Sequence, residues 1–174
     1  MIFKGKLKMD KKGDIQDLIM LVVFVVGFAM AGVIAYKFIG EFTENVADTG
    51  TFSDDAITTM NETGERMPMV FDGGLLVVFV LATLIMLISA WFVDVHPAIF
   101  IMAFIIVVAI IISAGVMSNA YEEFIQQDIL INASAEFPMT NFMINNLPVI
   151  ILIVGVALVI VLFAKFRFAQ GGAY

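Results

Sequence analysis

The sequence predicts an all-α fold, an integral membrane four-helix bundle with amphipathic or short helices in its two long loops. Three observations lead there. The chain of 174 residues is 61% apolar and only 14% charged, with a mean hydropathy of +1.03. A soluble domain carries about 25% charged residues and, at this size, leaves roughly a third of its surface in water; so little polar surface cannot cover it. Four apolar runs are also long enough to cross a bilayer, and the charges are sorted between the chain ends and the loops.

The first run is Leu18 to about Ile39, "LIMLVVFVVGFAMAGVIAYKFI"; the second is Leu75 to Val93, "LLVVFVLATLIMLISAWFV". The third is Ala98 to Met117, "AIFIMAFIIVVAIIISAGVM", and the fourth is about Leu147 to Ala164, "LPVIILIVGVALVIVLFA". Each has the length of a membrane helix, roughly 18–25 residues. Transmembrane strands would alternate apolar and polar residues over about ten positions, and these runs are apolar on every face.

Residues 1–17 form a basic tail carrying Lys4, Lys6, Lys8, Lys11 and Lys12, and Lys165 and Arg167 follow the fourth run. The loop 40–74 is acidic with Arg66 as its one basic residue, and the loop 118–146 holds four acids and no lysine or arginine. The positive-inside rule places both termini on the cytoplasmic or equivalent side and both long loops opposite, which four spans allow. Asp94, Val95, His96 and Pro97 are expected to turn tightly between spans two and three, with Pro97 in a first helical turn where its missing N–H costs nothing. Lys37 either snorkels to the headgroups or pairs with Glu41 four residues on.

Lys11-Lys12-Gly13 ahead of a polar residue and an apolar run resembles the prepilin-type signal of archaeal pilins and archaellins, with cleavage after Gly13. Those subunits have one apolar helix, whereas this chain has three more. The expected reading is an uncleaved anchor, with Asp14 and Asp17 at the positive end of the helix dipole.

In the first loop, Phe38, Phe42 and Val46 keep helical spacing, so span one is expected to project to about Val46, with Gly50 as breaker. Ser53 with Asp54 and Asp55 reads as a helix start, Ile57 and Met60 give that short helix an apolar edge, and Gly73–Gly74 release the chain into span two. In the second loop, Tyr121, Phe124, Ile125 and Ile129 fall on one helical face. That pattern predicts an amphipathic helix lying on the membrane or on the first loop. Phe142 and Met143 sit among Thr140, Asn141 and Asn145, a mix suited to the headgroup zone or to a partner protein. Tyr121, Phe124, Ile125, Phe142 and Met143 are therefore candidate partner contacts. Asn61-Glu62-Thr63 and Asn132-Ala133-Ser134 match the glycosylation sequon, a motif too short to carry weight.

Ionisable residues inside a bilayer are expensive and default to functional sites; apart from Lys37, the four runs contain none. The chain has no cysteine, which excludes disulfides, thiolate catalysis and cysteine-ligated zinc. His96 with Asp94 is too small a set for a metal, and the scattered methionines suit adaptable packing better than soft-metal binding. No cofactor, metal or catalytic residue is expected. The spans carry packing signals instead. Gly27, Ala31 and Ala35 repeat every four residues with Gly32 beside them, and span three offers Ala109 and Ser113. Such ridges allow close helix approach within the bundle or between copies.

The second half, from "DVHPAIFIMAF" to "LFAKFR", contains "NAYEEF" and "EFPMTNFMINNLP". Over roughly residues 94–167 it resembles the small four-span membrane proteins encoded beside capsid genes in tailless icosahedral viruses with an internal lipid membrane. The resemblance implies a non-enzymatic structural or assembly protein of the virion membrane. Its acidic loops would face the capsid proteins and its lysines anionic lipid or nucleic acid, in a homo- or hetero-oligomer. Two other readings remain open: an accessory subunit of a cellular membrane complex, and a holin or small channel, which would need a polar helix face that none of the spans shows.

Overall fold

The computed structural model describes residues 13–92 and 97–171. Among these it is all helix: α1 (Gly13–Thr49), α2 (Asp54–Phe92), α3 (Pro97–Ile125), α4 (Ile131–Ala135), α5 (Pro138–Asn145) and α6 (Leu147–Gly171). Four of them, α1, α2, α3 and α6, are long and apolar enough to cross a membrane. The chain is an integral membrane protein with four spanning helices. The lysines of the N-terminal tail and the Asp94–His96 turn lie outside the described residues, while Pro97 is the first residue of α3, where a missing backbone N–H costs nothing.

The spanning helices pack in two antiparallel pairs. Gly32 of α1 lies against the Phe71 ring of α2, and seven residues further out Gly64 lies beside Ile39. In the other pair, Gly155 of α6 lies against Val107 of α3, and Gly115 of α3 meets Pro148. The α1 C-terminus, α2 N-terminus, α3 C-terminus and α6 N-terminus therefore share one end of the bundle, called the outer end below. The core is a stripe on each helix: Val22, Val25, Val26 and Ala29 of α1, Leu75 and Phe79 of α2, Ile110 and Ala114 of α3, and Leu147 and Ile151 of α6. Spacings of three, four and seven residues put each set on one face. The other faces are exposed and apolar, as lipid requires. At the opposite end Trp91 and Phe168 approach with ring centroids 6.4 Å apart, an aromatic pair suited to the headgroup border.

The segment expected as loop 40–74 is almost wholly helical. α1 continues for 37 residues and α2 for 39, and only residues 50–53 lie between them. Gly50 turns the chain at φ +61°, a left-handed conformation that glycine adopts without steric cost. The Ser53 hydroxyl accepts from the Ala56 amide at 3.4 Å, the expected helix start. Gly73 and Gly74, expected to release the chain into span two, lie inside α2. A glycine costs only about 1 kcal/mol in a helix, and packing of the flanking Phe71 and Leu75 outweighs that. Pro68 also lies within α2, on its buried face. The result is a two-helix pin that leaves the bundle as a direct continuation of α1 and α2.

Candidate functional site

The chemistry that stands out lies where residues 126–146 fold back across the outer end. α5 begins with Pro138, which suits a first helical position. It is preceded by Phe137, which has no side-chain acceptor, so the amides of Met139 and Thr140 lack a local acceptor. Asp72 of α2 supplies one. Its Oδ2 accepts from the Met139 amide at 2.8 Å and its Oδ1 from the Thr140 amide at 2.5 Å. Asp72 is only 5% exposed. A buried carboxylate is costly unless hydrogen-bonded, and here two charge-assisted bonds and the positive end of the α5 dipole compensate.

Further bonds tie the segment of α4 and α5, called the cap below, to the bundle. The Tyr121 hydroxyl donates to Asn141 Oδ1 at 2.7 Å, and Asn141 Nδ2 donates to the Ser134 carbonyl at 2.8 Å. Ser118 Oγ donates to the Asn145 carbonyl at 3.3 Å, meeting the C-terminal end of α5. On the apolar side, Phe137 is fully buried with Val33, Leu130 and Ala133. It meets Tyr36 and Phe71 edge-on, with ring centroids 5.6 and 5.8 Å away. Thr140 Oγ1 is buried without a hydrogen-bond partner among the described residues. Beside the cap, a cleft of about 350 Å³ runs between α1, α2 and α4, lined by Tyr36, Lys37, Glu41, Glu44, Glu65 and Glu136 among others. Lys37 Nζ pairs with Glu41 at 3.2 Å within it. Among the described residues no three His, Cys, Asp or Glu side chains converge as a metal site would require.

This geometry corrects several expectations. Tyr121 and Met143, read as partner contacts, are buried within the chain, and Phe124 and Ile125 are half-buried. The reason is that α3 runs on as one helix to Ile125, so α5 folds onto the face that was left for a partner. Phe142 alone of the five is well exposed, at 69%. In the packing ridge, Gly32 is buried under Phe71, but Gly27 and Ala31 face outward and Ala35 is half-buried. The valines beside the ridge form the internal contact, and the outward Gly27 and Ala31 lie where the other alternative, a contact between copies, would use them. Ala109 is exposed, and Ser113 donates back to its carbonyl at 3.0 Å. The close approach of α3 and α6 uses Gly155, which the sequence reading passed over. Lys165 and Arg167 lie on the last turns of α6, while Lys4, Lys6, Lys8, Lys11 and Lys12 are outside the described residues.

Asp72 is the residue the sequence reading missed, because it was counted among the loop acids. The available signal was a proline-initiated helix lacking an acceptor at its own start, which calls for one from elsewhere in the chain. No protein-family profile matches the chain, and neither a curated protein nor a solved structure matches it. The viral resemblance of the second half therefore stands on its quoted residues alone.

Proposed function

We propose that this protein is a non-enzymatic structural element of a virion's internal membrane, joining the lipid bilayer to the capsid through the outer pin. The observation that carries this reading is the pin itself. α1 and α2 leave the bundle without a break, so the pin is a stiff extension of two spanning helices. From Gly40 to Thr49 it extends about 15 Å at the helical rise. Its acids, Glu41, Glu44, Asp48, Asp54, Asp55, Glu62 and Glu65, are all exposed, with Arg66 among them. Such a surface suits a basic protein face, and like-charge repulsion keeps the pin off anionic headgroups. The opposite end carries Lys165 and Arg167 on α6, and in the sequence Lys4, Lys6, Lys8, Lys11 and Lys12 precede the start of α1. A lysine or arginine near an anionic membrane surface contributes about 1 kcal/mol, which orients the chain and holds that end at lipid headgroups or nucleic acid.

Zero-length carboxylate-to-lysine crosslinking on purified lipid-containing virions tests the reading. Pin acids are expected to join capsid-protein lysines, and substitution of Glu62 and Glu65 by Gln is expected to reduce the yield. Absence of the chain from virions would overturn it, and crosslinks to subunits of a cellular membrane complex would favour the accessory-subunit reading.

A further inference from the structure

The two outer connections satisfy their helix ends in different ways. In the pin, the side chains that help are local and near the turn: Thr49 donates to the Val46 carbonyl at 3.0 Å, and Ser53 receives the Ala56 amide. Residues 50–55 around them are exposed, so water can meet whatever is left. In the cap, end groups are met from far along the chain, by Asp72 for the start of α5 and Ser118 for its end. Backbone that meets its own needs internally is what a water-poor surrounding demands.

Depth agrees. The apolar run of α1, residues 18–39, is about 33 Å long, the thickness of a hydrocarbon core. The cap packs beside Val33 and Tyr36 of α1, inside that run, and beside Asp72, Ser118 and Tyr121, just outside the apolar runs of α2 and α3, which puts it at the outer edge of the hydrocarbon. From Val33 to the end of the run at Ile39 is about 9 Å. The cap nevertheless exposes large apolar side chains at this depth: Ile129, Ile131, Met139 and Phe142. Gln126, Gln127, Asp128, Asn132 and Glu136 of the same segment are exposed as well, a mixture that suits the border between hydrocarbon and headgroups.

We propose that α4 and α5 form a re-entrant cap seated in the outer-end leaflet, with Met139, Phe142 and their exposed apolar neighbours against lipid acyl chains. The occupant of this face is lipid, and the assignment holds whatever the pin meets. Irregular backbone at membrane depth is tolerated only where protein covers it, and the Asp72 bonds provide that cover at the start of α5.

The cysteine-free chain makes the test direct. Single variants Met139→Cys and Phe142→Cys, with Thr59→Cys on the pin and Ile153→Cys on α6 as references, are labelled with a nitroxide in phosphatidylcholine vesicles. Collision with dissolved oxygen, which prefers hydrocarbon, is compared with collision with a water-soluble nickel chelate. At 139 and 142 nickel contact is expected about tenfold below that at 59, with oxygen contact near that at 153. Nickel contact equal to that at 59 would overturn the proposal, placing the cap in water. Low contact with both reagents would also overturn it, because a second copy or another protein would then cover the face.

Discussion

Residues 40–74 and 118–146 both join spanning helices at the same end of the bundle, and both are largely helical, yet they are built on different principles. The pin is made by local rules. Thr58, Thr59 and Thr63 donate to the carbonyls four residues back at 2.8–2.9 Å, Lys37 pairs with Glu41 on the same helix, and one glycine makes the turn. The cap is made by tertiary contacts, since α4 is five residues long and α5 eight, far too short to persist alone. The cap exists because Asp72, Tyr121 and Phe137 fix it to the bundle. A single substitution should therefore unseat the cap, whereas the pin should absorb one.

The largest expected effect is from Asp72→Ala. It strands two amides in a buried place and removes two bonds to a charged acceptor, a loss of about 2–4 kcal/mol in reversible unfolding from mixed micelles. The pin should keep its helix content in the same variant. An unfolding curve unchanged from the parent would break the contrast. Gly155→Ala comes next. The added methyl would overlap Val107 Cγ1 and lie 3.3 Å from Cγ2, and such overpacking costs about 1–3 kcal/mol. That variant sharpens the comparison, because it weakens the α3–α6 pair under the cap without touching the polar bonds. Tyr121→Phe removes the bond to Asn141, with a loss of about 1 kcal/mol expected by the same measurement. The smallest is Glu41→Gln in the pin, which removes an exposed pair worth under about 0.5 kcal/mol. A loss from Glu41→Gln as large as that from Asp72→Ala would show that the pin too depends on single bonds.

Legibility followed the same division. The four spans could be read from apolar runs because lipid imposes a composition on every face. The pin's turn was readable too, from Gly50 and the Ser53-Asp54-Asp55 start, because those signals act within a few residues. What the sequence hid was the length of α2: Gly73-Gly74 and Pro68 cost a helix about 1 kcal/mol per glycine and about 3 for the proline, yet α2 runs through all three, because packing along the whole helix outweighs these local penalties. The cap was hidden for a deeper reason. Tyr121 and Met143 have the same apolar spacing whether they meet a partner or the chain's own core. Nothing local to Asp72 distinguishes it from the exposed acids of the pin. Its role is set by Met139 and Thr140, 67 and 68 residues away.

Amide hydrogen exchange at Met139 and Thr140, compared between the parent chain and Asp72→Ala in the same vesicles, tests the account most directly. Amides at the start of a helix have no intrahelical partner and ordinarily exchange early. Here both are predicted to exchange as slowly as the interior of α5 in the parent, and at least about tenfold faster in Asp72→Ala, with Ala56 in the pin unchanged. Rapid exchange in the parent, or equal rates in the two proteins, would contradict a cap held by a buried carboxylate.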